Sequence, residues 1–288
     1  MLDFITVVFR DELPLLEIQA RSLDLYTSPA DVGQITIIVN DTQEIVDYIN
    51  PAWWGKHKDK VVIKHGKQFT ATGWESQQLL KLVTVADSTA TWAMVLDAKT
   101  WFVKELKLDR LFDTNGKPWT GSVPGLPGVF VEARTFVENH YSIKMPKIVG
   151  PNGVPYLFHV DTVKSMIAEF DNFTEFFLTN VKFPNFITEF FLYSGYVIKR
   201  YGNIEELYNT NHTYLFPMNI DDSEVTNFDN IFNKVKMYSG SVLTVSIHRR
   251  AYKQLSAEQL DAWAEYVTKK QLFCHISECY DQLNIYIK

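Results

Sequence analysis

Cysteine is nearly absent: the 288 residues hold two, Cys274 and Cys279. Their spacing makes neither a disulfide framework nor a metal-binding pair, so the thiols read as small side chains kept reduced in a cytoplasmic setting. No apolar run approaches the roughly 20 residues that a membrane-crossing helix needs. The N-terminus lacks a basic segment leading into an apolar one, so no signal peptide is expected. Cations are outnumbered, 28 Lys and Arg against 34 Asp and Glu, for a net charge of -6. That balance disfavours nonspecific nucleic-acid binding, which demands clustered positive charge. Repeats, low-complexity tracts and a clear linker are missing too, which favours one continuous domain over residues 1–288.

What is present is the composition of a folded protein: 46% hydrophobic and 22% charged residues, with a rich 14% of aromatics that permits several stacking surfaces. Short apolar runs alternate with helical patterns. Residues 4–9 (FITVVF), 35–39 (ITIIV), 61–64 and 92–96 have strand length and character, while 14–25 and 73–85 carry apolar residues at helical spacing. Strands alternating with helices predict an α/β fold with a mainly parallel sheet and crossover connections. Residues 114–128, dense in Gly and Pro, predict a loop. Beyond them the pattern predicts a strand at 156–160, helices at 163–170 and 187–200, and a late strand at 242–247. Ser256 with Gln259 three residues on predicts a capping box opening a C-terminal helix.

The strand at 92–96 stops at Asp97, and Lys99 follows two residues later. Ligands of open α/β sheets bind at the carboxyl ends of strands, so this charged pair marks a candidate site. On the helix 73–82, Trp74, Gln77, Gln78 and Lys81 fall at spacings of three and four and share a face. An aromatic plane, two amides and one cation suit a phosphorylated polar ligand, although the same pattern fits an exposed face with one half-buried Trp. The late strand delivers His248, followed by Arg249 and Arg250, and no histidine has a zinc-like spacing. Glu189 stands in an otherwise apolar and aromatic segment with Tyr193 and Tyr196. Such surroundings raise a carboxylate's proton affinity, whereas the position beside Thr188 also suits a helix N-terminus. Lys56, Lys58, Lys60, Lys64 and Lys67 form a basic run beside Trp53 and Trp54, a solvated loop or a local nucleic-acid groove.

The order of these elements, with GWESQQLLKL, VLDAKTWF, TEFFLYSGYV and SIHRRA in sequence, resembles the GT-A-fold glycosyltransferases. More narrowly, it is similar to a poorly characterised glycosyltransferase-like family with Gly-Trp-x-x-Gln-Gln-x-x-Lys-Leu, Leu-Asp-x-Asp-Thr and Glu-x-x-Leu-Tyr segments, over most of residues 1–250. The resemblance implies a GT-A-like sheet with a smaller C-terminal helical part, a nucleotide-sugar half over about 1–113 and an acceptor half over about 114–288. It implies a nucleoside-diphosphate sugar as donor, a UDP-sugar foremost. Phe9, Arg10, Asn40 and Asp41 would surround the nucleoside, with Trp74, Gln77 and Gln78 contributing to donor binding and Asp97 orienting the donor. Lys81, Lys99 and His248 would stabilise the departing diphosphate, and Glu189 would serve as base or acceptor anchor. The family's second carboxylate is Lys99 here, and an ammonium cannot coordinate a cation. Transfer without a metal is therefore favoured over a weak site retained by Asp97 and His248. The implied acceptors are a glycan or small-molecule hydroxyl, with hydroxymethylated DNA as competitor. A noncatalytic sugar-nucleotide-binding or scaffold protein is the alternative.

Overall fold

All seven residues of the first strand, Leu2–Val8, are buried, and only Asp3 and Thr6 among them are polar. A strand apolar on both faces belongs inside a parallel sheet covered by helices. Each fully buried Val, Ile, Leu or Phe contributes roughly 1.5–3 kcal/mol, so such a strand anchors the fold. The computed structural model describes residues 1–67, 69–70, 73–120, 129–146, 154–210, 216–238 and 240–287. Their strands are β1 (Leu2–Val8), β2 (Val32–Val39), β3 (Val61–His65), β4 (Trp92–Asp97), β5 (Thr100–Phe102), β6 (Tyr156–His159), β7 (Phe216–Ile220) and β8 (Val242–Ile247).

The main sheet has the order β3-β2-β1-β4-β6. The first four strands run parallel and β6 is antiparallel to β4. The expected mainly parallel α/β sheet is present, flanked by α1 (Leu13–Tyr26), α2 (Gly73–Asp87) and the helix Glu189–Tyr201. Asp3, the charged residue of β1, is used up internally: its carboxylate accepts from the Gln34 amide at 2.7 Å and from the Ser88 hydroxyl at 2.7 Å.

The C-terminal part is mostly helical, as expected, with Phe228–Met237, Ala257–Lys269 and Ile276–Ile287. Its strands β7 and β8 join β5 in a second, three-stranded sheet of order β5-β8-β7, in which β5 and β8 are antiparallel and β7 and β8 parallel. Three-residue β5 is too short to show a period, and β7 contains a proline and an asparagine, so neither is visible in the pattern. The expected helix 163–170 begins three residues earlier, as Val160–Ile167, because β6 ends at His159. Ser256 and Gln259 form the capping box, with both side chains bonded to the other's amide. Most of the expected loop 114–128 lies outside the described residues, at 121–128; Phe112 and Pro118 close its start in a β-bridge.

Helices from the end of the chain pack back on its beginning. The Tyr286 hydroxyl, on the helix Ile276–Ile287, donates to the Asp11 carbonyl, and its ring stacks on Tyr252 at 5.9 Å. Gln282 donates to the Pro14 carbonyl and to Glu17, and Arg21 pairs with Glu278 at 2.5 Å.

Candidate active site at the strand ends

The strand order fixes where a cleft opens. The chain leaves β1 on one side for β2 and β3, then crosses to the other side for β4, so the crevice of this sheet lies between the carboxyl ends of β1 and β4. Residues 9–12 leave β1 there, and Val7 pairs in register with Asp97. The turn Ala98-Lys99 then feeds β5, whose Thr100 pairs with Ser246 of β8. Two residues further along that antiparallel pairing, His248 comes beside the turn.

A cleft of about 690 Å³ occupies this edge. Of the residues singled out from sequence, Phe9, Arg10, Asp41, Trp74, Gln77 and His248 line it together. Gly73 makes this approach possible: a Cβ there would lie 2.3 Å from Cε1 of Phe9. The Asn40 amide donates to the Gly73 carbonyl at 3.1 Å, tying the end of β2 to the start of α2. The helix face is not uniform. Trp74 is 48% exposed at the cleft, whereas Gln78 is buried and its amide turns back to the Trp74 carbonyl at 3.4 Å. Arg10 lines the cleft with its guanidinium paired to Glu44 and reaching the Thr42 hydroxyl at 3.3 Å.

Behind the cleft wall, Lys81 joins two carboxylates. Its ammonium lies 2.9 Å from Oδ1 of Asp97 and 3.2 Å from Oε1 of Glu189. The side chains of Lys81 and Glu189 are only 4% and 3% exposed, against 27% for Asp97, so Asp97 alone of the three faces outward. Burial works against the Lys81 charge, but the two carboxylates overcome it and hold its proton far more tightly than usual. Burial also raises the Asp97 carboxyl, yet Lys81, Lys99 and His248 outweigh it and leave Asp97 a firmer anion than a free aspartate. Glu189 goes the other way: burial dominates, the shared lysine offsets it incompletely, and its proton affinity rises. Lys99 sits 4.0 Å from Oδ2 of Asp97 and 3.4 Å from Oδ1 of Asp221. Tyr193 and Tyr196 are buried, the former bonded to the His159 amide, and present no open stacking face.

Three participants carry no sequence signal. Gln19, buried on α1, accepts from the Thr6 hydroxyl at 2.8 Å and donates to the carbonyls of Asp97 at 2.6 Å and Thr100 at 3.1 Å, clamping the turn that presents Asp97 and Lys99. Asp221 follows the unrecognised β7. Glu12 lines the cleft beside Arg249, whose Nη1 lies 3.8 Å from its carboxylate. Burial and then the Asp97 charge raise the Glu12 carboxyl from 4.5 to about 7, against the opposing pull of Arg249 and Lys99.

The donor set does not fit a divalent cation. Among the described residues no three His, Cys, Asp or Glu groups come together as ligands, and the ammonium of Lys99 stands between the carboxylates of Asp97 and Asp221. Of the basic run, Lys56, Lys58, Lys64 and Lys67 are exposed. Trp54 is wholly buried and Lys60 donates to the carbonyls of Pro29 and Val32, both at 2.6 Å. No helix among the described residues is long and apolar enough to cross a membrane.

Among solved structures, the fold is similar to the apo form of the glycosyltransferase GlyE of Streptococcus pneumoniae TIGR4, with 13% identity and a TM-score of 0.50. That match covers 99% of this chain and 62% of GlyE, so the chain spans under two thirds of that protein. The galactosyltransferase LgtC, solved with donor and acceptor sugar analogs, aligns over 98% of this chain and 99% of its own at 10% identity and a TM-score of 0.45. No curated protein matches the sequence. A family model described as a family of unknown function, DUF6492, matches residues 5–239.

Proposed function

Since the chain belongs to the DUF6492 family and carries a GT-A-type fold, we propose that it is a glycosyltransferase that moves a sugar from a nucleoside-diphosphate sugar to an acceptor hydroxyl. The carrying observation is Asp97, a firm carboxylate at the β1/β4 crevice, gripped from behind by Lys81 and flanked by Lys99 and His248. In this reading residues 1–113 supply the donor side and residues 114–288 the acceptor side of one continuous domain.

Each residue then has a chemical task. Trp74 and Phe9 offer apolar planes to the nucleoside, and Gln77 and Asp41 offer hydrogen bonds to its hydroxyls. Asp97 accepts from a hydroxyl of the donor and fixes its orientation. Lys99 and His248 face the diphosphate, whose charge grows as the glycosidic bond breaks; preset cations stabilise that charge most where water is excluded. Lys99 takes the part that a divalent cation plays in metal-dependent transfer, so no step runs through a metal. Glu189 acts as a positioning residue: it sets Lys81, which sets Asp97. The acceptor is a glycan or small-molecule hydroxyl.

Calorimetry with UDP-, GDP- and ADP-sugars, with manganese and with chelator, tests this reading. Binding of one donor class, unchanged by chelator and reduced at least tenfold by Asp97→Ala, is expected, together with release of the nucleoside diphosphate on turnover. Binding without any turnover favours the noncatalytic alternative. Absence of binding to every donor refutes both.

A further inference from the structure

Glu12 and Arg249 have no part in the assignment above, although both line the cleft. They come from opposite ends of the chain, Glu12 at the start of α1 and Arg249 just after β8. Their contact is an ion pair at 3.8 Å, beyond hydrogen-bond length, and Asp11 adds a second loose contact to Nη1 of Arg249 at 4.0 Å. A guanidinium held by two carboxylates at such distances has most of its donors uncommitted to either. It is also the group best matched to a phosphoryl oxygen pair.

The surroundings of Glu12 are of mixed sign. Asp97 faces it from β4, Lys99 from the turn after β4, Arg249 from beyond β8, and Asp11 precedes it in sequence. Tyr286 approaches from the C-terminal helix with its hydroxyl proton held more tightly than usual, first by burial and then by Glu12, so it remains neutral. His248 precedes Arg249 and faces Asp97. Burial and then the Asp97 charge push Glu12 toward its protonated form, and Arg249, Lys99 and a backbone hydrogen bond at Phe9 offset them only in part. The Glu12 side chain is 17% exposed, enough to exchange a proton with solvent.

We infer that Glu12 and Arg249 form an exchange pair in the cleft: the guanidinium passes from the Glu12 carboxylate to a phosphoryl group of the bound diphosphate, and Glu12 takes one proton from solvent in its place. This rests on the reading of the cleft as a sugar-nucleotide site. The balance is simple: the ligand brings two negative charges beside a carboxylate that loses its cation, and the proton cancels one of them. A carboxyl already poised near neutrality, at about 7, makes that uptake occur within the working pH range.

UDP-glucose is a suitable probe, because its diphosphate diester does not titrate between pH 6 and 9; GDP-mannose and ADP-glucose complete the panel. Calorimetry on the full chain in two buffers of different ionisation enthalpy counts the protons taken up. Near pH 8, wild-type protein is expected to take up close to one proton per ligand, and its affinity to fall about eightfold between pH 7.5 and 8.5. Glu12→Gln removes the uptake and binds more tightly than wild type at pH 8.5, and Arg249→Gln binds more weakly and also without uptake. Binding with no uptake by the wild type overturns the inference and leaves the sugar-nucleotide reading standing. Uptake that persists in Glu12→Gln assigns the proton to His248 and overturns it too. If no member of the panel binds, the sugar-nucleotide reading fails and the inference with it.

Discussion

Replacing Lys81 with Met tests the buried ion triad directly. The side chains are of similar volume, so the change removes charge with little loss of packing. At an effective dielectric of 20, each contact, at 2.9 and 3.2 Å, is worth about 5 kcal/mol of Coulomb attraction. Desolvating three charges cancels most of that gain, so the pair energies do not appear in full. Removing the cation alone leaves two carboxylates facing a dry wall, and such a break costs about 3–5 kcal/mol. Glu189 then protonates and Asp97 retains Lys99 at 4.0 Å and the charge of His248. Urea unfolding followed by the fluorescence of the 7 tryptophans measures the loss. Adding Glu189→Gln to Lys81→Met removes the buried group that must otherwise take up a proton and is expected to recover at least about 1 kcal/mol. A single variant within about 1 kcal/mol of wild type, or a double variant no more stable than the single one, would refute the reasoning.

Two further outcomes follow from the same wall. Gly73→Ala forces a Cβ to within 2.3 Å of the Phe9 ring; the expected cost is about 1–3 kcal/mol in chemical denaturation, with weaker nucleotide binding, and an unchanged protein would show that Phe9 is free to move. Glu12 binds its proton more tightly folded than unfolded, so wild-type stability declines as the pH rises from 4.5 through about 7. Glu12→Gln lacks that decline and is expected to be more stable than wild type at pH 8.5 by up to roughly 3 kcal/mol, and superimposable pH–stability curves for the two would exclude a shifted Glu12.

The sheet was legible because β1, β2 and β4 are buried on both faces, which leaves a continuous apolar signal in the chain. Their charged ends were legible for the same reason: Asp97 interrupts a run. The helix face of Trp74, Gln77, Gln78 and Lys81 was also found, but spacing alone does not tell that its far end sinks under the sheet edge. Lys81 therefore appears as a cation for the ligand in sequence and as the keeper of Asp97 in space. Glu12 looks in sequence like an ordinary acid at a helix start, and its burial comes from β8 and the C-terminal helix, more than 200 positions away. Gln19 is hidden in the polar complement of an amphipathic helix. Three-residue β5 and irregular β7 lie below the length at which period can be read.

The bond from Tyr286 to the Asp11 carbonyl joins positions 275 residues apart. Seen from the ribosome, the cleft wall at residues 9–12 is made long before the helix Ile276–Ile287 that packs against it. β8, which leads into His248 and Arg249, also emerges after every strand of the main sheet. A nascent chain can thus complete its parallel sheet while the His248 and Arg249 side of the cleft is still unbuilt.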